Sequence, residues 1–276
     1  MIVSAMLRSF ARLATLCLVL AVVAGCATRP DSKNAEAVAE FEQINDPAEP
    51  TNRAIFEFNR AFDSILLKPL AKLYRDFTPQ FFQDSVHNFL NNLRTPVILA
   101  NDVLQGEFKR AGQTIGRFLV NSTVGVGGLM DVAAEMGVPF HGEDFGQTLA
   151  VWGVPEGPYV MLPIIGPSNP RDAIGLVVDF IADPLNLWAA NTDREWIIYS
   201  RTGMRAVDIR ARNYDALEDL ERTSLDYYAA IRSLYRQRRA DEIRNGKEAE
   251  RRPAPGLSRQ TAAPEAAERQ DTPRVE

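Results

Sequence analysis

Cysteine and histidine are scarce in this 276-residue chain: Cys17 and Cys26 are the two cysteines, His87 and His141 the two histidines. The histidines lie too far apart in sequence to pair by spacing, and 141–144 (HGED) reads as a solvated turn before it reads as a metal corner. No G-x-S-x-G, S-x-x-K or H-E-x-x-H motif occurs. The glycines of 125–128 (GVGG) lack the Gly-Lys-Ser/Thr ending of a phosphate loop, so a turn or close backbone packing is the better reading. No catalytic, metal or cofactor constellation follows, and the chain is not expected to be an enzyme. A basic excess is also missing. The formal charge is −5; removing Arg8 and Arg12 with a leader leaves the remainder near −7, and the body before the last forty or so residues near −8. Nucleic acid is a poor partner for such a chain.

Long apolar runs are confined to the N-terminus. Arg8 and Arg12 precede an apolar stretch, Leu13 to Ala24, that ends in Gly25-Cys26. It is shorter than the roughly 20 residues a spanning helix needs, and fits the apolar region of a secretory signal. Small residues directly before Cys26 resemble the bacterial lipobox, where the cysteine is acylated and the signal cut in front of it. Cys17 falls within the removed part, so the mature chain begins at its single cysteine, and disulfides and cysteine nucleophiles are excluded together. Two or three acyl chains hold a protein stably on a membrane. Ala27 after the cysteine, in place of an Asp, favours the outer membrane.

The expected organisation is a signal over 1–25, a polar tether over 26–45, one mainly α domain over 46–245 and a disordered proline-rich tail over 246–276. Apolar periodicity predicts helices from about 52 to 66, with Pro69 kinking or dividing the segment before 70–77, then over 80–93, 97–105, 107–122, 171–182 and 184–191. A long helix is predicted from about 202 to 239. Tyr159–Ile165 reads as an extended or hairpin segment closed by the turn residues 166–170. No internal repeat is visible.

The segment 55–104 is rich in large apolar residues. Phe56 and Leu67 fall off the main stripe, which widens the apolar face beyond one core contact. Either these helices are buried on two sides within a bundle or part of the face meets lipid.

Several stretches resemble the MlaA (VacJ) lipoprotein family. Asp46–Arg53 (DPAEPTNR) followed by 56–59 (FEFN) is similar to the family's opening motif, and 118–131 (FLVNSTVGVGGLMD) to its glycine-rich segment. Residues 143–153 (EDFGQTLAVWG) and 157–168 (GPYVMLPIIGPS), then Arg171 and Asp172, resemble its central signature. The resemblance runs over about 46–245.

It implies a ring-like helical domain lying in the inner leaflet of the outer membrane, lipid-anchored at Cys26. A polar channel would take phospholipids misplaced in the outer leaflet and pass them to an MlaC-like periplasmic carrier, with trimeric porins as neighbours. On this reading Phe56, Phe58, Phe62, Leu66 and Leu67 form a lipid-facing belt. Gly157, Tyr159, Pro163, Gly166, Pro167, Arg171 and Asp172 form a channel or gate loop, stiffened by its prolines and hinged at its glycines. A structural salt link is the alternative role for Arg171 and Asp172. A porin-associated assembly lipoprotein without transport shares anchor, location and helices, and stays open at this point.

Overall fold

Proline, asparagine and aspartate set most of the helix starts in this structure, a computed structural model that describes residues 44–245. The signal, Cys26, most of the tether and the tail lie outside the described residues. Helix α1 (Glu49–Phe62) opens with Pro50 in its first turn and Glu49 at its positive end. A π-helical stretch, Asp63–Leu67, joins it to α2 (Lys68–Phe77). Then follow α3 (Gln80–Leu93), α4 (Thr95–Leu104), α5 (Phe108–Thr123) and the short α6 (Val132–Glu135). Helix α7 (Phe145–Val151) precedes strands β1 (Val160–Leu162) and β2 (Gly166–Ser168). The chain continues through α8 (Pro170–Ala182), α9 (Pro184–Asn191), α10 (Trp196–Arg212), α11 (Tyr214–Thr223) and α12 (Tyr227–Arg244). Asp144, Asn169 and Asp183 cap α7, α8 and α9 through their side chains, the last two immediately before a proline.

The mainly α architecture agrees with the sequence, and four local expectations are corrected. Pro69 does not divide its helix from the preceding one. The π turn carries the Lys68 N–H to the Asp63 carbonyl, and the proline, which has no N–H, sits in the first turn of α2. The predicted long helix over 202–239 is three helices. Asn213 turns its amide back onto the Ile209 carbonyl (2.8 Å), Ser224 is extended, and Asp226 accepts from the Ala229 N–H (3.1 Å) to start α12. The apolar stripe carries across both breaks, so periodicity alone concealed them. Residues 166–168 form a second strand rather than the closing turn. Val160 pairs with Ser168, Met161 with Pro167 and Leu162 with Gly166, and the turn is Pro163–Ile165. Finally, Ile44 and Asn45 belong to the fold rather than to a tether: the Ile44 carbonyl accepts from Arg236, and the Asn45 carbonyl from the Tyr159 N–H.

Two asparagines on α1 hold the hairpin as a third strand would. Asn52 donates to the Tyr159 carbonyl (3.1 Å) and accepts from the Met161 N–H (2.9 Å). Asn59 donates to the Leu162 carbonyl (2.9 Å) and accepts from the Ile164 N–H (2.6 Å). Seven helical residues rise about 10.5 Å and three strand residues span about 10 Å, so the i, i+7 spacing matches the strand repeat. Beneath the hairpin lies the apolar core: Phe56, Tyr159, Met161 and Tyr228, flanked by Ile55, Tyr227, Ile231 and Tyr235. Phe56 meets Tyr227 and Tyr228 edge-on at 5.4 and 5.5 Å between ring centres. Its assignment to a lipid-facing belt is therefore wrong. It is buried because α1 turns that face to the hairpin and α12.

Asn52→Ala leaves a buried carbonyl and a buried N–H unpaired, at roughly 1–3 kcal/mol each. Equilibrium unfolding in detergent should read a loss of about 3 kcal/mol, and a loss within error of zero would remove Asn52 from this role.

Candidate functional site

Polarity in this chain is largely reversed. Among the described residues, glycine aside, the buried positions are 21 polar or charged against 14 apolar, and six of the apolar ones are alanines. Outside, Ile65, Phe77, Phe81, Phe82, Phe108 and Leu119 are exposed, Phe77 by 81%. A water-soluble protein rarely exposes apolar surface on this scale, and buried charge is costly unless it is paired and hydrogen-bonded.

The pairing is dense. Arg239 donates to both oxygens of Asp144 (2.6 Å each) and to both of Asp172 (2.8 and 3.1 Å). Asp172 also accepts from the Tyr235 hydroxyl (2.6 Å), Asn169 Nδ2 (2.9 Å) and Arg171 Nε (3.0 Å). One arginine on α12 thus ties α7 to α8. Those helices cross backbone to backbone: a Cβ on Gly175 would lie 2.2 Å from the Gly146 nitrogen, and one on Gly146 would strike Arg239 at 2.5 Å. Burial raises the Asp144 carboxyl, but the Arg239 bonds outweigh it and hold the group at about 2. A second cluster joins Asp46 to Asn52 (2.7 Å), the Tyr228 hydroxyl (2.5 Å) and Arg232 (2.7 Å). A third sets Glu143 against Arg110 (2.5 Å) and Gln105 (2.9 Å), with Asp102 taking Thr114 (2.6 Å) and His141 (3.2 Å) beside it.

The residues singled out as a channel or gate loop are placed unevenly. Gly157 has φ +73°, its carbonyl accepts from Asn45, and a Cβ there would press on Pro170 at 3.3 Å. Tyr159 is buried in the aromatic core. Pro163 begins the turn, Gly166 takes φ +101° and Pro167 faces Met161 across the hairpin. Arg171 and Asp172 belong to the Arg239 network. The structure brings Tyr159, Arg171 and Asp172 into packed, largely buried surroundings, while the tip residues Ile164 and Ile165 are exposed. Of the expected belt, Phe58 and Leu66 are exposed, and Phe62 and Leu67 half-buried.

Sequence reasoning missed an open cleft between α3, α5 and the segments flanking α6, lined mostly by polar residues. Its lining includes Asn88, Asn91, Asn92, Asn121, Arg117 and His141. Asn88, Asn91 and Asn92 share one face of α3 at i, i+3 and i+4, a carboxamide stripe that periodicity could have marked. Arg117 closes one side, its Nη2 donating to both carboxylate oxygens of Asp131 at 2.8 Å. Gly128 packs against Asn92, where a Cβ would come within 2.6 Å. No single described helix is long and apolar enough to cross a membrane, although α8 and α9 together are, with a 52° bend between them.

Helices that bury charge and expose large apolar side chains define a class: α-helical proteins with a polar interior and an apolar exterior. Residues 44–242 match the family described as MlaA lipoprotein. The chain is 32% identical over 228 residues to the intermembrane phospholipid transport system lipoprotein MlaA of Haemophilus influenzae, covering 81% of this chain and 86% of that protein. It is 31% identical over 243 residues to the Escherichia coli K12 protein of the same description, covering 86% and 90%. An uncharacterized protein of Rickettsia felis is 38% identical over 201 residues, covering 72% and 78%. A solved structure described as "Structural basis for maintenance of bacterial outer membrane lipid asymmetry" aligns with a TM-score of 0.64 at 32% identity, over 72% of this chain and 98% of that one. The chain belongs to the MlaA lipoprotein family.

Because Asp144 titrates at about 2 in the folded protein against an ordinary 3.8, its stabilisation is complete above pH about 4 and is lost as the pH falls from there towards 2. Arg239→Gln should raise the pH at which acid unfolds the protein, followed by circular dichroism in detergent. Superimposable acid transitions for variant and wild type would contradict the bridge.

Proposed function

We propose that this chain is an outer-membrane lipoprotein, held in the periplasmic leaflet by an acylated Cys26, that removes phospholipids misplaced in the outer leaflet. The lipids travel through its polar interior to a soluble MlaC-like periplasmic carrier, and lipid asymmetry is maintained as a result. Trimeric porins are its proposed neighbours. No bond is made or broken, so the activity is transport rather than catalysis.

The reversed polarity carries this reading. A phospholipid has a charged head and two acyl chains, and moving it through a leaflet requires hydrated polar walls for the head. Side chains such as Phe58, Leu66, Leu73 and Phe77 on the outside suit contact with surrounding acyl chains. The hairpin, fastened to α1 by Asn52 and Asn59, serves as a stiff wall of the passage, with Pro163 and Pro167 limiting its conformations. A body charge near −8 removes attraction to anionic head groups as the docking force, leaving the acyl anchor and apolar area to hold the protein.

The test is outer-leaflet phospholipid in intact cells lacking the protein, complemented with wild type or Cys26→Ala. Excess surface phospholipid corrected by the wild type alone is the expected result. An unchanged outer leaflet with reduced porin assembly would replace transport with an assembly role.

A further inference from the structure

Two arginines in the interior lie without a directly paired carboxylate. Arg94 ends α3, and Arg205 lies on α10, which packs against α3. Neither guanidinium has a hydrogen bond or an ion pair among the described residues, although both are half-buried. Arg201, one turn before Arg205 on the same face of α10, points one guanidinium nitrogen, Nη1, into buried space with no partner. The acidic groups acting on Arg94 and Arg205 already accept hydrogen bonds from other donors. Asp183 is held by Arg201, and Asp144 by Arg239 (2.6 Å). Asp208 is held by His87 (2.7 Å) and Arg212 (3.2 Å). Asp179 accepts from Asn101 Nδ2 (3.0 Å) and the Phe145 N–H (2.9 Å). Arg238, the remaining cation acting on Arg205, pairs with Glu242 (2.8 Å).

We infer that Arg94 and Arg205, with the free nitrogen of Arg201, form an anion station that receives the phosphodiester of a phospholipid headgroup in transit. A guanidinium is a rigid fork of donors matched to phosphate oxygens, and two forks with no other partner leave most of their donors for a ligand. Both side chains keep some solvent access, so an arriving headgroup can reach them. Burial, and then the charges of Arg94 and Arg201, push Arg205 down to about 9, with Asp208 offsetting only part of the shift. Because the body is acidic overall, the attraction is local: it selects the phosphate once a lipid is inside and does not recruit it from afar. The inference rests on the transport reading and names the chemistry by which the interior holds its cargo.

The test is calorimetric titration of the purified full-length lipoprotein in detergent with three probes: dihexanoyl-phosphatidylglycerol, glycerol 3-phosphate and inorganic phosphate. Arg94→Gln/Arg205→Gln should weaken dihexanoyl-phosphatidylglycerol binding by about tenfold or more. Arg94→Lys/Arg205→Lys should retain most of it, and Arg194→Gln, where the arginine stacks on Trp188, should change nothing. Thermal unfolding of the double Gln variant should be unchanged or raised, since uncompensated buried charge has been removed. A clearly lowered midpoint would assign the pair a structural role and overturn the inference. Unaltered lipid binding by the double Gln variant would also overturn it while leaving transport standing, whereas a wild type that binds no phospholipid would remove both. Inorganic phosphate binding as tightly as the lipid would identify a free-anion site and not a headgroup station.

Discussion

A guanidinium inside a protein is most stable where carboxylates and carbonyls close around it, and Arg239 is the position at which that preference shapes most of the structure. Its donors are divided among Asp144, Asp172 and Glu242, and the first two bring α7, α8 and α12 to one point. The meeting is close enough that Gly146 and Gly175 leave no room for a side chain. The helix caps are drawn into the same arrangement: Asp144 caps α7 while binding Arg239, and Asn169 caps α8 while binding Asp172. Removing one partner would strand charge in the interior, a loss of about 3–5 kcal/mol where such a pair is fully buried.

That polar interior determines what the outside must be. With much of the interior space given to Asp, Asn, Gln and Arg, the large apolar side chains of α2, α3 and α5 are left facing outward. The small aromatic core under the hairpin keeps α1, β1 and α12 together. It does not account for the many exposed Phe and Leu residues elsewhere. An acyl-chain environment removes the penalty that water would impose on them, and the same arrangement leaves Arg94 and Arg205 as cations awaiting an anion.

Much of this was legible in the sequence, and the failures have physical causes. Helix α3 falls where its apolar spacing placed it, because Pro79 and Arg94 bound it as a single amphipathic segment. The family motifs located the Asn52 and Asn59 region and the hairpin. Periodicity, however, identifies faces without naming what each face meets, so Phe56 and Phe58 were assigned to one belt although the first is buried and the second exposed. Helix α7 was hidden in a glycine-rich stretch, since its stability comes from the Asp144 cap and from packing on α8. The Arg239 bridges join residues 95 and 67 positions apart, a separation at which one sequence carries no pairing signal. The hairpin turn was misplaced because Gly166-Pro167 is turn chemistry by composition. Here it forms a strand, held in register opposite a segment that is bonded to α1.

An apolar exterior solvated by acyl chains would place native reporters of the chain among them. All three of its tryptophans, Trp152, Trp188 and Trp196, are exposed, by 54, 43 and 67%. Their emission should be measured in vesicles of phosphatidylcholine brominated along the acyl chain and in unbrominated vesicles, each with and without aqueous acrylamide. Strong quenching by the brominated lipid with little further loss to acrylamide is the result this account expects. Emission undiminished by brominated chains and readily quenched from the water would contradict it.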